Sequence, residues 1–189
     1  MGDKLKILKT EFEGLCVIET DTFHDARGSF SRFYCTKELE EISNISIEQI
    51  NHSVTDKKGT TRGLHFQYEP NSEVKIIRCI KGSVFDVLVD IRKDSDTFLK
   101  VFTYTLSQEN EKMLYIPKGF AHGFQALEDN SELLYLHSSV YEASNEGALN
   151  IKDSLLDIKW PLDIVNVSKR DSSHPFIESS FKGVELDEM

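Results

Sequence analysis

The chain has 189 residues, about the length of one globular domain, and hydrophobic residues make up 39% of it. This is enough apolar material for one sizeable core, which excludes a wholly disordered chain. The 22 lysines and arginines and the 32 aspartates and glutamates leave a net charge of −10, which argues against nucleic-acid binding but permits a local basic site for one anionic ligand.

Neither the apolar runs nor the cysteines predict a membrane protein or a disulfide-stabilised one. The longest apolar runs fall far short of the roughly 18–20 residues that span a bilayer, and residues 1–6 lack the apolar segment of a signal peptide. Three widely spaced cysteines indicate neither a disulfide framework nor a zinc knuckle. We therefore predict a cytoplasmic protein with one domain over residues 1–189, a core at about 10–175 and a polar C-terminal tail that frays beyond Phe176.

The first part of the chain predicts two strands and one short helix. Leu15–Ile18 has the composition of a strand, and Asp25–Gly28 predicts a turn into a second strand over Ser29–Tyr34, where polar and aromatic residues alternate. Thr36–Ile42 is the best helix candidate, because its threonine would cap it and its leucine and isoleucine would form a short apolar stripe.

The rest of the chain is rich in strand signals at intervals of about 10–15 residues, with turn residues in the gaps. The predicted strands are Lys75–Ile80, Val84–Ile91, Val101–Leu106, Met113–Ile116 and Glu132–Tyr141. No helical periodicity long enough for a crossover helix separates them, which favours antiparallel sheets over alternating strands and helices. We predict an all-β fold: a double-stranded jelly roll with a few short helices.

Two segments place histidine among other polar side chains. In Thr61–Gln67 apolar residues alternate with His65 and Gln67, so these two side chains share one face of a strand. His65 is then either a catalytic group or a histidine satisfied at the edge of the core. In Ile116–Phe124 two glycines permit close backbone approach beside His122, which would otherwise lie in a loop and bond to the backbone.

Two carboxylates and a tyrosine are further candidates. Asp86 and Asp90 share one face of a predicted strand, and burying them costs several kcal/mol unless they are paired. Lys75 and Arg78 on the preceding strand are the partners we expect. Tyr135 is a core residue unless it faces a cleft.

A metal site is the alternative for the two histidines. Metal-binding cupins use a His-x-His pair followed by a glutamate and a later histidine. Position 67 is glutamine here, which leaves only His65 and His122, whereas a stable site of this kind needs three protein ligands. We therefore predict no metal.

Several short blocks follow one another in an order that is specific in combination. They are Asp25-x-Arg27-Gly28, Gln49-x-Asn51-His52-Ser53, Arg62–Gln67, Lys75–Arg78, Gly82–Arg92, Ile116–Phe124, Tyr135, Glu146-Gly147, Ile158-x-Trp160-Pro161 and Ser168–Asp171. Over roughly residues 10–175 the chain thereby resembles the dTDP-4-dehydrorhamnose 3,5-epimerases, a metal-independent branch of the cupins. The resemblance implies a double-stranded β-helix (jelly roll, cupin) and an isomerase activity.

The resemblance also implies a mechanism, in which the C5 and C3 protons of a nucleotide-linked 4-keto-6-deoxy sugar are removed beside its ketone. The position matching His65 is the general base, and Asp171 orients its imidazole. Lys75 would stabilise the enolate oxygen, and Tyr135 would deliver a proton to the opposite face. No cofactor is implied, because the ketone itself is the electron sink.

For substrate binding, the resemblance implies that Arg27 and Arg62 pair with the pyrophosphate. Phe23 and Tyr141 would stack on the base. The other binding positions carried over are Arg32, Gln49, Asn51, His122, Glu146 and Lys169. The family forms homodimers in which an N-terminal segment crosses over by strand exchange, so Gln49 and Asn51 are expected toward the neighbour's site.

The chain departs from the family pattern at three positions around the implied binding site. Arg32 replaces a glutamate, Leu136 replaces a lysine and Val140 replaces an aromatic residue that stacks on the base. The catalytic positions are intact, so the departures leave open which base and sugar are used and whether one carbon or two are inverted. They also leave open which glycan pathway is served, with rhamnose and polysaccharide precursors as the family's usual products.

Two other functions fit parts of the pattern. A keto-isomerase would move the carbonyl between C3 and C4 with proton traffic on one face, which makes Tyr135 dispensable. A non-catalytic cupin that binds sugar nucleotides would lose the pair His65 and Asp171, and this chain keeps both residues.

Overall fold

A computed structural model describes residues 4–42 and 44–186, and most of them belong to, or pack against, two antiparallel sheets. The strands are β1 Leu5–Lys9, β2 Cys16–Thr20, β3 Phe23–Asp25, β4 Gly28–Phe30, β5 Gln49–Thr55, β6 Thr61–Gln67, β7 Lys75–Lys81, β8 Ser83–Asp90, β9 Val101–Ser107, β10 Met113–Ile116, β11 Phe120–Ala126, β12 Ser131–His137 and β13 Glu146–Ala148. The helices are a 3-10 turn at Ala143–Asn145 and α1 at Lys169–Ser172.

The larger sheet has six strands in the order β1-β2-β10-β7-β12-β5, and the smaller has five in the order β13-β6-β11-β8-β9. Strands β3 and β4 form a separate hairpin. The predicted all-β jelly roll is confirmed. The predicted strands that correspond to β7, β8, β9 and β10 begin and end within one or two residues of the observed ones. They were predictable because alternating or continuously apolar segments of this length favour strands.

The main core lies between the two sheets. It includes Ile77 and Leu133 from the larger sheet and Leu88 and Phe124 from the smaller one, all at most 2% exposed. A second apolar cluster covers the outer face of the smaller sheet, where the C-terminal part of the chain packs. Because both of its faces are covered, every residue of β11 is buried.

The fraying expected beyond Phe176 is wrong for the described part of this segment. Val184 is 5% exposed and packs in the outer cluster. Its amide donates to the carbonyl of Ile91 at 2.7 Å, and its carbonyl accepts from the amide of Lys93 at 2.9 Å. Apolar residues spaced along a polar tail are thus enough to hold it on the sheet.

The helix predicted at Thr36–Ile42 is wrong, because this segment forms consecutive turns. Leu39 packs on the outer face of the larger sheet, and its amide bonds to the carbonyl of Cys35 at 3.1 Å. The side chain of Glu38 accepts from the amides of Lys4 and Leu5. A segment this short gains little from helix formation, so tertiary contacts decide its conformation.

Two predicted strand boundaries and one predicted loop also differ from the structure. The strand expected over Ser29–Tyr34 stops at Phe30, because the following aromatic residues pack on the outer face of the larger sheet. The strand expected over Glu132–Tyr141 ends at His137. The loop expected around His122 is strand β11.

The expected partners of Asp86 and Asp90 are wrong as well. Asp90 accepts from Arg92 at 2.7 Å and from two hydroxyls, and Asp86 accepts from His122. Lys75 and Arg78 lie on β7, which pairs with β10 and β12, whereas both aspartates lie on β8 in the other sheet. Strands that follow one another directly in sequence need not be neighbours in a sandwich.

Candidate active site

A cavity of about 1110 Å³ opens between the two sheets and is lined mostly by polar side chains. Strands β5, β7 and β12 supply one wall, and strands β6 and β11 supply the other. The segment before and within α1 lies at the rim. Of the predicted site residues, those that line this cavity are Gln49, Asn51, Arg62, His65, Lys75, His122, Tyr135, Tyr141, Glu146 and Asp171.

His65 and Asp171 form a hydrogen-bonded pair in this cavity. The Nε2 atom of His65 lies 3.1 Å from Oδ1 of Asp171, whose other oxygen accepts from the amide of Gly63 at 3.1 Å. Ser168 caps α1 and accepts from the amide of Asp171 at 2.9 Å, which holds the carboxylate in place. Burial alone would raise the pKa of Asp171, but the hydrogen bonds from His65 and Gly63 outweigh it and lower that pKa.

A second set of charges surrounds the same imidazole. The guanidinium of Arg170 lies 3.3 Å from Nε2 of His65 and pairs with Glu146 at 3.0 Å. The hydroxyl of Tyr141 donates to Glu146 at 3.2 Å. The side chains at the rim of the cavity are therefore linked to one another around His65.

His122, which lines the cavity, forms a buried pair with Asp86 behind it, with Nε2 and Oδ1 2.6 Å apart. Burial lowers the pKa of His122 and raises the pKa of Asp86, because it disfavours the charged form of each group. Among the described residues, Oδ2 of Asp86 is buried without a hydrogen-bond partner. His122 is thus anchored by a carboxylate and not by the backbone as expected.

Tyr135 faces the cavity and is therefore not simply a core residue. Its ring packs edge-on to His122 at a centroid distance of 6.1 Å and nearly parallel to His137 at 6.0 Å. Burial raises the pKa of its phenol. Tyr135 therefore stays protonated and able to donate over the whole physiological range.

Lys75 shares a carboxylate with His137. The ammonium lies 3.2 Å from Oε1 of Glu73, and Nδ1 of His137 lies 2.8 Å from Oε2 of the same residue. Sequence reasoning missed Glu73 and His137, although both stand two positions from a predicted catalytic residue and so share its face of a strand or extended segment. Arg170 was missed too, and its only signal is its place next to Asp171.

Four predicted binding residues do not line the cavity of their own chain. Phe23 and Arg27 lie on the exposed hairpin of β3 and β4, where Arg27 pairs with Asp25. Arg32 pairs with Glu38 beside β1 and borders a separate apolar groove. Lys169 is exposed on α1.

The expectation that Gln49 and Asn51 turn toward a neighbour's site is wrong, because both line the cavity of their own chain. They lie on β5, which pairs along its whole length with β12. The most N-terminal strand, β1, pairs with β2 of the same chain.

The structure also shows where the other two departures from the family pattern, Leu136 and Val140, lie. Leu136 is 6% exposed and packs on the outer face of the larger sheet, so its side chain points away from Tyr135 and the cavity. Val140 is exposed, and its carbonyl accepts from Gln67 at 3.2 Å. Val140 does not line the cavity, whereas its neighbour Tyr141 does.

One group of side chains in the described ranges, 4–42 and 44–186, has metal-binding geometry. The donor atoms of His65, Asp171 and His174 lie within 4.8 Å of one another. The guanidinium of Arg170 lies within 3.5 Å of both His65 and Asp171, and its positive charge opposes a cation there. Gln67, at the position of a cupin metal ligand, instead bonds to the backbone of Asn71 and to the loop around residue 142.

No helix in the described part of the chain is long and apolar enough to cross a membrane.

Comparison with known proteins gives one consistent family. A family model described as dTDP-4-dehydrorhamnose 3,5-epimerase matches residues 9–179. The enzyme of that name from Shigella flexneri is 38% identical over 180 residues, which covers 94% of this chain and 99% of the relative.

Solved structures agree with this result. The Bacillus anthracis dTDP-4-dehydrorhamnose 3,5-epimerase with TDP and PPi bound has a TM-score of 0.89 at 37% identity, and the match covers 92% of this chain and 99% of that one. A 3'-monoepimerase from Streptomyces bikiniensis in complex with dTDP-quinovose has a TM-score of 0.83 at 29% identity, covering 88% and 85%. With its cavity, its histidine–aspartate pair and these relatives, the chain belongs to the dTDP-4-dehydrorhamnose 3,5-epimerase family of isomerases.

Proposed function

We propose that this chain inverts C3, C5 or both in a nucleotide-linked 4-keto-6-deoxy sugar. The observation that carries the proposal is that a base, an electrophile and a proton donor border one cavity from two different sheets. His65 comes from the smaller sheet, and Lys75 and Tyr135 come from the larger one.

The base in this reaction is His65. Because Asp171 is a hydrogen-bond acceptor, it favours the tautomer of His65 with the proton on Nε2, and Nδ1 is then the atom that takes a proton from carbon. When the ring becomes an imidazolium, the negative charge of Asp171 stabilises it. A proton next to a ketone is acidic enough for such a base, since the charge left behind moves onto oxygen.

Lys75 and Tyr135 complete the exchange. The ammonium of Lys75 offers a fixed positive charge for the enolate oxygen at C4. Tyr135 returns a proton to the carbon from the other face and so inverts the centre. Because a keto-isomerase can work on one face, the presence of a protonated Tyr135 in the cavity favours epimerisation over that alternative.

The nucleotide part of the substrate is an anion, and cationic groups at the rim suit it. Arg62 is exposed at the edge of the cavity, and Arg170 lies near it. One guanidinium group can donate two parallel hydrogen bonds to the oxygens of a phosphate. These groups therefore make the rim locally suited to an anion although the whole chain has a net charge of −10. The TDP and PPi in the Bacillus anthracis relative and the dTDP-quinovose in the Streptomyces bikiniensis relative support a thymidine nucleotide as the first substrate to test.

The functional unit that we propose is a homodimer in the cytoplasm. Phe23 and Phe30 on the β3–β4 hairpin are 60% and 74% exposed, and a second copy of the chain would cover them. Arg27 at the tip of this hairpin would then reach the partner's cavity. The three free thiols suit a reducing compartment.

The test is proton NMR of the purified protein with dTDP-4-keto-6-deoxyglucose in D₂O. Loss of the C3 and C5 proton signals is the expected result, and the signals that disappear show which carbons are attacked. Exchange at C3 alone would assign a single inversion like that named for the Streptomyces bikiniensis relative. A chain with His65→Ala serves as the control for spontaneous exchange.

Exchange with a different nucleotide sugar, and none with the dTDP compound, would move the proposal to another base. If no 4-keto sugar nucleotide shows exchange, the proposed epimerase activity is overturned. A protein that binds sugar nucleotides without converting them is then the alternative.

A further inference from the structure

One buried carboxylate lies between two of the groups that border the cavity. Glu73 precedes β7 and its side chain is 8% exposed. Its Oε1 atom is 3.2 Å from the ammonium of Lys75, and its Oε2 atom is 2.8 Å from Nδ1 of His137. Lys75 and His137 are direct cross-strand neighbours on β7 and β12, so the carboxylate joins two strands of one wall.

The carboxylate is held in its ionised form. Burial alone would raise the pKa of Glu73, but the hydrogen bond from His137 and the charge of Lys75 outweigh it and lower that pKa. Glu73 therefore places a permanent negative charge beside the cavity. A buried charge of this kind is costly unless both oxygens are satisfied, and here they are.

Glu73 restricts where the ammonium of Lys75 can lie. A lysine side chain is long and flexible, and it carries three N–H donors. One donor is directed at Glu73, and a second is within 3.4 Å of the carbonyl oxygen of His65. The remaining donor is available to a ligand in the cavity. The carboxylate thus fixes the electrophile relative to the strand that carries the base.

Glu73 also sets the state of the His137 ring. A carboxylate accepts, so Nδ1 of His137 carries a proton, and Nε2 then accepts from the side-chain Nδ2 of Asn51 at 3.4 Å. The ring in this orientation lies nearly parallel to Tyr135, with an angle of 21° between the planes. The position of Tyr135 at the cavity therefore depends in part on the same carboxylate.

We infer that Glu73 is a positioning residue of the epimerase: it orients the Lys75 ammonium for the enolate oxygen and, through His137, holds the ring that supports Tyr135. This inference rests on the proposed function for its kinetic consequence but not for its structural one. The titratable groups that face Lys75 are Glu73, His137 from β12, His65 from β6 and His122 from β11.

Glu73→Gln tests the inference, because the amide keeps the shape and removes the charge. We expect kcat to fall about tenfold, less than the loss of a group that touches the reacting oxygen itself, with KM changed far less. C3 and C5 exchange should slow together with product formation.

The chain offers a matched control in Glu132, which pairs with Lys81 at 3.0 Å and with His52 at 3.0 Å on the solvent side of β12. Glu132→Gln likewise removes a carboxylate that contacts one lysine and one histidine, but it does so away from the cavity. It should leave kcat unchanged. Equal kinetics for the two glutamine variants would overturn the inference.

A readout without substrate separates this inference from the proposed function. Nitrogen NMR of the histidine rings should show the proton of His137 on Nδ1 in the unaltered protein. In Glu73→Gln, which presents an N–H donor or a weaker acceptor, the proton should shift toward Nε2. The His137 signals are assigned by their loss in His137→Gln.

An unchanged tautomer of the His137 ring, with kcat lowered only in proportion to the loss of folded protein, would mean that Glu73 merely stabilises the cavity wall and would overturn the inference. If Glu73→Gln does not fold, Glu73→Asp decides. That variant keeps the charge but is too short to reach both partners, so we expect kcat to stay low. Full activity in Glu73→Asp would contradict the inference.

Discussion

At the scale of single residues, the buried carboxylate of Asp171 fixes the immediate surroundings of His65. Its side chain is 5% exposed, and its two oxygens accept from the imidazole and from the amide of Gly63. The imidazole of His174 lies edge-on to His65, with its Nε2 atom 3.8 Å from Asp171. An ionised carboxylate enclosed in this way holds the ring in one orientation and one tautomer.

Asp171→Asn should lower kcat by about 10²–10⁴-fold, because an amide can present a donor to His65 and favour the wrong tautomer. The fold should persist, since the side chain keeps its shape and one oxygen can still accept from Gly63. Steady-state kinetics and thermal unfolding measure the two effects. Asp157→Asn, at an exposed site paired with Lys159, is the control. A kcat within threefold of the control would contradict the role of Asp171.

Tyr135→Phe should slow product formation more than it slows the loss of the substrate's C3 and C5 protons in D₂O. The reason is that His65 still removes the proton, whereas the donor on the other face is missing. Comparing the two rates in one NMR experiment measures the difference. Tyr104→Phe, on β9 and stacked on Phe102, controls for the loss of a phenol elsewhere. Equal slowing of both processes would argue against a donor role.

At the scale of elements, strands β6 and β11 approach so closely that side chains are excluded between them. His65 and His122 are cross-strand partners, and the register shifts between His122 and Phe124. A Cβ on Gly123 would lie 2.5 Å from the carbonyl oxygen of Arg62, and one on Gly63 would lie 2.5 Å from the Cα of Gly123. The two glycines thus set the distance between the strands that carry both histidines.

Gly123→Ala should destabilise the protein by about 1–3 kcal/mol, the usual cost of overpacking, and lower the activity of the molecules that remain folded. The second effect follows because β6 must move away from β11 and carry His65 with it. Urea unfolding and kcat per folded molecule measure the two effects.

The control is Gly82→Ala in the turn between β7 and β8, where a Cβ would lie 2.6 Å from the hydroxyl oxygen of Ser131. It should lose stability and keep its activity per folded molecule. If Gly123→Ala also keeps full activity per folded molecule, the close approach of β6 and β11 does not position His65.

At the scale of the whole molecule, the two sheets divide the groups of the proposed active site between them. The five-stranded sheet carries His65 and His122, and the six-stranded sheet carries Lys75, Tyr135 and His137. Groups on opposing sheets can reach both faces of a sugar ring held between them. The hairpin of β3 and β4 stands apart from both sheets and leaves its aromatic residues exposed.

If the hairpin completes a partner's cavity, two different inactive chains should restore activity when mixed. His65→Ala and Arg27→Ala are each expected to be poorly active alone. In a mixed dimer, the chain with an intact His65 would receive an intact Arg27 from its partner, so one of the two sites is complete. Coexpression followed by kinetics, with sedimentation to measure the mass, tests this.

Activity no higher than the average of the two parents would mean that Arg27 acts within its own chain or not at all. A protein that sediments as a single chain while turning over substrate would contradict the dimer.

Much of the fold followed from local patterns, and some of it did not. Strands β7, β8, β9 and β10 were predictable because their apolar residues alternate or run together over the length of a strand. The helix predicted at Thr36–Ile42 is absent because its leucine and isoleucine can pack against the larger sheet from consecutive turns, so their spacing does not require a helix. The fraying predicted beyond Phe176 failed because Val184 finds an apolar surface far away in sequence.

The sequence by itself determined the all-β class, the strand that presents His65 and the blocks from which the family could be named. It did so because alternation along a strand and short motifs are local properties of the chain. Only the tertiary structure decided which polar side chains meet: Asp86 with His122, Glu73 with Lys75 and His137, and Arg170 with His65. These pairs join different strands or distant segments, and the pairing of strands in a sandwich is set by burial of whole faces, which no single segment encodes.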